Sequence, residues 1–452
     1  MSTLPLPATS TAPLLLATLH DRVAGVLIGS ALGDAIGLYT EFLSASHAAA
    51  AYPTGRFTLT GPSPTPFKLD SHRAPKSPGH WTDDTDHALL LLLSFLRTAS
   101  TTQPANQQPL PTQTDLAARL RVWVTQGFRP LETLPLGLGR LVGTVVATAG
   151  FETDPEAVAR GYWERTGKRV APNGSLMRTH PLGIVCLMRE EEEGFKVAAE
   201  LSRVTHVDPR CVVACVIGTG LVRAVVRGEV QGEEGVDEVV ERAVEWWEKE
   251  GRKEGEELDR EELWRHVKPK GGLKGLELDE QAAIGYVYKT LGSGMELLRM
   301  AIQRMAASKR GLLERSRLFE DLITDLIMRG GDADTNACFA GALLGGYLGY
   351  SALPDHWKHG LTHQEWLLGK AEALCQVLGL KDGEFNGMED DDAELQAGKP
   401  AISQDEMEGR WMVLQQTTFK KMENAAKASA AASKSSGSGW SLPWQSKDKA
   451  KR

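Results

Sequence analysis

The chain is predicted to be all-α, and three observations predict it. Apolar residues recur at helical spacing in nearly every periodic segment, and no alternation marks a sheet. Two apolar segments, one from Gly25 to Gly37 and one from Ala337 to Gly349, carry small residues every fourth position, the spacing of one helix face. Two further segments place hydroxyl and acidic residues directly before long apolar runs, which is how helices start. With 452 residues and 42% hydrophobic content, the chain can bury a large core.

Composition narrows the function classes. A net charge of -8, with no basic stripe, leaves nothing to balance a nucleic-acid backbone. The five cysteines, Cys186, Cys211, Cys215, Cys338 and Cys375, are odd in number and show no CxxC spacing, so they read as reduced core residues of an intracellular protein. The first twenty residues have no basic n-region, and no run is expected to span a bilayer. The expectation is a soluble cytoplasmic or nuclear monomer that binds neither nucleic acid nor membrane.

Residues 1–20 read as flexible, and the folded domain is expected over 21–380. Its first element, Asp21 to Glu41, spaces Gly25, Gly29, Gly33 and Gly37 four apart. Each helical glycine costs roughly 1 kcal/mol relative to alanine, so close packing must compensate, and the matching glycine face after Asp334 is the natural partner. The spacing is not GxGxxG and no strand precedes it, which excludes a dinucleotide fingerprint. Asp34 and Glu41 fall near the end of this helix, where its dipole disfavours acids. A nearby cation would explain them.

Pro53 to His80 is rich in Pro, Ser and Gly and reads as a long surface loop. It ends at WTDDTDHALLLLLSFL, where Thr82 can cap while Asp83, Asp84 and Asp86 crowd the first turn. Capping and dipole compensation need fewer acids than that, and a divalent cation would relieve their repulsion. The glycines of PLGLGRLVG, from Leu134 on, read either as a phosphate cradle or as helix packing. Ala171 to Thr179, APNGSLMRT, is an Asn-Gly turn before a helix that Pro181 restarts. It is either a plain connection or, with Arg178 close by, an anion holder. His206 lies in a loop at a helix mouth, two residues before Asp208 with Pro209 at the first helical position. A histidine there serves either as a structural hydrogen-bonder or as a ligand contact.

Residues 228–279 are dense in Glu, Lys and Gly and read as a charged, partly helical insertion with a structural role. Gln281 to Ile302 resumes a helical core pattern. Gly330 to Tyr350, GGDADTNACFAGALLGGYLGY, joins a glycine turn and the acids Asp332 and Asp334 to a small-residue helix. Residues 381–452 read as an acidic segment and a disordered tail.

Joined, TDDT and DADT are similar patterns, each opening an apolar helix. Oxygen donors without His or Cys suit Mg²⁺ or Mn²⁺ rather than zinc. Asp83, Asp84, Asp332 and Asp334 carry charge for two such ions, and Glu41 adds a fifth acid.

GSALGDAIGLYTE, WTDDT, PNGSLMR, TH from Thr205 and GGDADTNACFAGALLGGYLGY, in this order, resemble the ADP-ribosylglycohydrolase family over roughly Asp21 to Trp357. The resemblance implies a compact all-α orthogonal bundle with its active site at helix N-termini and loops. It also implies a binuclear Mg²⁺ or Mn²⁺ centre that hydrolyses the C1″ bond between ADP-ribose and a protein residue or related acceptor. Thr82, Asp83, Asp84, Asp332, Asp334 and Thr335 match the metal ligands, and Glu41 matches an acid that contacts a metal in some members. Asn173, Gly174, Ser175, Leu176, Met177 and Arg178 match the loop around the distal ribose and diphosphate, and His206 matches a substrate contact. Asp83 or Asp332 is the expected general base, with Glu41 the third catalytic acid. Asp86 and His87, following TDDT, depart from the pattern, as does the polar insertion. Two other classes share these features: a two-metal phosphoryl hydrolase, and a non-catalytic ADP-ribose-binding relative.

Overall fold

The computed structural model describes residues 12–307 and 312–436. Among these residues there are seventeen α-helices and no β-strand, so the predicted fold class holds. The chain divides into two compact units, Met1–Pro66 with Pro78–Ile402, and Phe67–Ser77 with Ser403–Arg452.

The first unit is organised around two helices, Ala12–Gly37 and Ala333–Leu348. Gly25, Gly29 and Gly33 meet Gly345, Gly341 and Ala337 in reverse order, so the pair is antiparallel. A Cβ on Gly33 would lie 1.9 Å from the Ala337 carbonyl oxygen, and one on Gly345 would lie 1.9 Å from that of Gly25. Backbone touches backbone, which is the compensation for four helical glycines. The helices Pro209–Arg227, Val287–Ala306 and Leu312–Ile327 pack around this pair.

The seam ends at the acids. Gly37 faces Asp334, whose Cα would be 2.3 Å from a Cβ there. Beyond it, the Thr40 hydroxyl donates to the Ile327 carbonyl at 2.6 Å. Phe42 N–H donates to Gly331 O at 2.6 Å and Gly331 N–H returns to Leu43 O at 2.9 Å. Gly330 and Gly331 have φ of +69° and +75°, and a Cβ on either would lie 2.0 Å from a carbonyl oxygen, of Leu43 and Leu278 respectively. Only glycine fits this turn, and it laces the Glu41 loop to the DADT helix.

Several expected boundaries move. The first helix begins at Ala12, inside the stretch read as flexible, because apolar residues such as the buried Leu19 continue its core face; residues 1–11 lie outside the described ones. By length and composition alone, Pro13–Gly37 and Pro209–Arg227 are apolar enough to cross a membrane, where no run was expected to be long enough. The second is 94% buried within the protein; a helix surrounded by other helices is apolar on every side. The Pro53–His80 loop is not wholly superficial, since Phe57 and Leu59 are buried and Trp357 Nε1 donates to Phe57 O at 2.8 Å. The acidic segment folds into the first unit, where Lys370 pairs with Asp390 and Asp392 at 2.7 and 2.9 Å and Trp366 Nε1 donates to Asp392. In the second unit Gln404–Ser436 is one 33-residue helix, so the disordered tail expected within residues 381–452 does not hold over that stretch. Its alanine-rich sequence has high helix propensity, and residues 437–452 lie outside the described ones. The insertion forms the helices Glu233–Trp246 and Arg260–Val267, which bury Val236, Val240, Leu263 and Val267 beneath their charged faces.

Candidate active site

Two helix starts, Asp83–Thr98 and Ala333–Leu348, supply most of the acids. At the first, the Thr82 hydroxyl accepts from Asp84 N–H at 3.3 Å and donates to Asp84 Oδ2 at 2.9 Å. Asp34, buried at the end of the glycine helix, accepts Thr82 N–H at 3.0 Å, Thr85 N–H at 3.1 Å and the Thr85 hydroxyl at 2.6 Å. Thr82 and Asp34 therefore do the capping. Asp84 Oδ1 is buried without a hydrogen-bond partner, a costly orphan acceptor on a carboxylate that lies among the other acids. At the second start, Asp332 occupies the N-cap position yet makes no capping bond. Its Oδ2 accepts from Asn173 Nδ2 at 2.9 Å instead.

These carboxylates meet in two overlapping clusters. Oxygens of Asp34, Asp84 and Asp334 lie within 4.8 Å of one another, as do those of Glu41, Asp332 and Asp334. Burial, and then the charges of Asp34, Asp83 and Asp332, hold the Asp84 carboxyl well above its usual range. Burial followed by Glu41 raises Asp334 likewise. The same two causes push Asp332 up to about 6, against the stabilising bond from Asn173. Crowded acids with an unanswered buried oxygen are what a divalent cation relieves, and the all-oxygen donor set suits a hard ion. The residues fit such a group.

The acids open into a cleft of about 430 Å³. Glu41, Asp83, Asp84, Asp332, Asp334 and Thr335 line one part of it, and Asn173, Gly174, Met177 and His206 line another. Thr82 is buried and holds Asp84 from behind. Three residues expected at the substrate turn away from the cleft. Ser175 Oγ lies 3.1 Å from Ser202 Oγ and accepts from Cys215 Sγ, Leu176 is buried beside Gly218, and Arg178 Nη2 donates to Leu201 O and Thr205 Oγ1. Met177 N–H donates to Asn173 O at 3.1 Å, closing one helical turn, so Asn173, Gly174 and Met177 share the cleft side while Ser175, Leu176 and Arg178 face the core. Burial holds the His206 imidazole neutral, well below its ordinary pKa, with Arg178 and His87 acting in the same direction.

Other cleft residues were less legible. Gly137 and Gly139 enter it from the PLGLGR segment; a Cβ on Gly137 would lie 2.0 Å from Asp83 Oδ1, so that backbone rests on the carboxylate. The segment had a signal, and the structure favours its position at the site. Tyr162 and Thr166 also line the cleft, and nothing in their local sequence marks them. Asp34 had a signal in its place at a helix C-terminus. Of the departures after TDDT, Asp86 accepts the indole N–H groups of Trp81 and Trp123, each at 2.9 Å, and so is structural.

Fold and site together define an all-helical protein whose carboxylates, drawn from two helix starts and a glycine-seamed neighbour, share one cleft. Residues 15–384 match the model of the family described as ADP-ribosylglycohydrolase. The chain belongs to the ADP-ribosylglycohydrolase family, and it is a hydrolase acting on ADP-ribosyl linkages. The match runs past both ends of the resemblance drawn from motifs and includes the charged insertion. An uncharacterized protein of Archaeoglobus fulgidus is 25% identical over 373 residues, which is 79% of this chain and 97% of that protein. The ADP-ribosyl-[dinitrogen reductase] glycohydrolase of Rhodospirillum rubrum is 23% identical, covering 80% of this chain and 98% of that one. The ADP-ribosylarginine hydrolase Tri1 of Serratia proteamaculans is 23% identical, covering 80% and 81%. A solved ADP-ribosylglycohydrolase-related protein complex is similar with a TM-score of 0.49 and 22% identity, over 80% of this chain and 99% of that chain.

Proposed function

We propose that this enzyme is a Mg²⁺- or Mn²⁺-dependent ADP-ribosylhydrolase that cleaves the C1″ bond between ADP-ribose and a protein residue or a related small acceptor. The observation that carries the reading is the pair of carboxylate clusters, with Asp84 Oδ1 unanswered, opening into the cleft that Asn173, Gly174 and His206 also line. Asp83, Asp84, Asp332, Asp334, Thr335 and Glu41 would hold two ions, with Thr82 bracing Asp84 from behind, and when bound the ions would polarise ribose oxygens and acidify a water.

The protein groups do the rest. Glycoside cleavage builds positive charge on the ribose, and fixed carboxylates oppose it. Asp332, oriented by Asn173, or Asp83, resting against Gly137, takes the proton of the attacking water. Gly174 leaves its backbone open to a ligand; a Cβ there would lie 3.2 Å from His206 Cε1 and Nε2. Leu141, Val142 and Met177 give the cleft an apolar side that excludes competing water.

Purified protein with Mg²⁺ or Mn²⁺ is expected to release ADP-ribose from at least one member of a panel of Arg-linked, Ser-linked and poly-linked ADP-ribose and O-acetyl-ADP-ribose. Asp332→Ala should reduce that release by at least about 100-fold. Release of phosphate or AMP, read by mass, would instead assign a two-metal phosphoryl hydrolase. ADP-ribose binding by calorimetry with no turnover on any linkage would make the chain a binding relative.

A further inference from the structure

Arg178 was expected at the substrate, and its burial behind the cleft raises the question of what a guanidinium does there. Its Nη2 donates to Thr205 Oγ1 at 2.9 Å, and Thr205 Oγ1 lies 2.7 Å from His206 Nδ1. All three side chains are buried, and these are the hydrogen bonds the Thr205 hydroxyl makes.

A threonine hydroxyl has one proton to donate and lone pairs to accept with. Arg178 can only donate, so the Thr205 oxygen accepts from it. If His206 Nδ1 also donated, the buried hydroxyl proton would have no acceptor. The hydroxyl proton therefore goes to Nδ1, and the single proton of the neutral ring sits on Nε2. Main-chain bonds hold the ring's base as well, with His206 N–H donating to Ser202 O at 2.8 Å and Ser202 Oγ donating to His206 O at 3.1 Å.

We propose that Arg178 and Thr205 are positioning residues, forming a relay that fixes His206 as the Nε2–H tautomer and presents that N–H as a hydrogen-bond donor to the cleft beside Gly174. The donor would meet a sugar hydroxyl or phosphate oxygen of the bound ligand, which rests on the ADP-ribosylhydrolase reading. The relay itself does not. Burial lowers Arg178 to about 10, so it stays charged at neutral pH and donates without accepting, and the direction of the chain is fixed there.

The test is ¹⁵N NMR of the imidazole nitrogens in full-length, ¹⁵N-histidine-labelled protein, with His206 assigned through His206→Gln, alongside calorimetry with ADP-ribose and Mg²⁺. Wild type and Thr205→Ser should show the Nε2–H tautomer, whereas the nearly isosteric Thr205→Val should show a mixture or the Nδ1–H form. ADP-ribose should bind Thr205→Val about tenfold more weakly and Thr205→Ser like wild type. A wild-type Nδ1–H form, or an unchanged tautomer in Thr205→Val, overturns the relay. Should the tautomers behave as expected while wild type binds no ADP-ribose, the relay stands and the functional reading falls.

Discussion

Asp34 carries the charge that the helix start at Thr82 needs, and this is what releases Asp84 from capping. A buried carboxylate accepting from two backbone N–H groups and a hydroxyl is strongly held, and removing it orphans all three donors. Asp34→Ala is therefore expected to cost about 3 kcal/mol in urea denaturation, equally in EDTA and in excess Mg²⁺. A loss confined to Mg²⁺ would make Asp34 an ion ligand rather than a clamp. The case shows which residues a sequence reveals. Thr82, Asp83, Asp84, Asp332 and Asp334 were legible because their residue types at a helix start already exceed what capping requires. Arg178 and Ser175 were misplaced because the phase of a tight turn relative to a cleft is set by packing, here against Leu201 and Cys215, and no local spacing encodes it.

At the scale of the element, the glycine seam transmits a helix position into an acid position. The pairing of the two small-residue faces was readable, since four costly glycines in register on the first helix demand a close neighbour and Ala337, Gly341 and Gly345 offer a matching face. Where the seam ended was not, because that depends on the antiparallel register, and the register puts Gly37 against Asp334 itself. Gly37→Ala should push Asp334 outward. We expect a stability loss of about 1–3 kcal/mol from overpacking and a several-fold rise in the Mg²⁺ concentration giving half-maximal rate. Gly345→Leu, three turns away from Asp334, should act in the same direction by parting the helices. The control is Gly369→Ala on the Gln364–Val377 helix, where a new Cβ meets nothing within 4 Å. It should leave the Mg²⁺ dependence alone and stabilise the protein by up to about 1 kcal/mol. Unchanged Mg²⁺ dependence in both seam variants would cut the link between seam and site.

For the first unit as a whole, acid sensitivity follows from histidines that the core keeps neutral. Burial lowers His87 to about 3, with Arg178 adding to the effect, and lowers His180 to about 4 against a bond to the Met177 carbonyl. Their ordinary value is 6.5. Below that value the unfolded chain takes up protons that the native protein refuses, so these groups stabilise fully above pH 6.5 and progressively less as pH falls towards 4 and then 3. The raised carboxyls of Asp84, Asp332 and Asp334 act in the opposite direction, since their native forms gain protons first on acidification. A single acid titration of the wild type mixes the two effects, and only a difference between variants isolates one. His180→Asn keeps a donor for the Met177 carbonyl but cannot charge. Its urea-derived stability, measured beside wild type between pH 6.5 and 5, should fall less steeply by about 1 kcal/mol per pH unit, because the carboxyl contribution is common to both and cancels. Parallel curves would mean that His180 is protonated in the native core, and that the core tolerates a second buried cation within the sequence neighbourhood of Arg178.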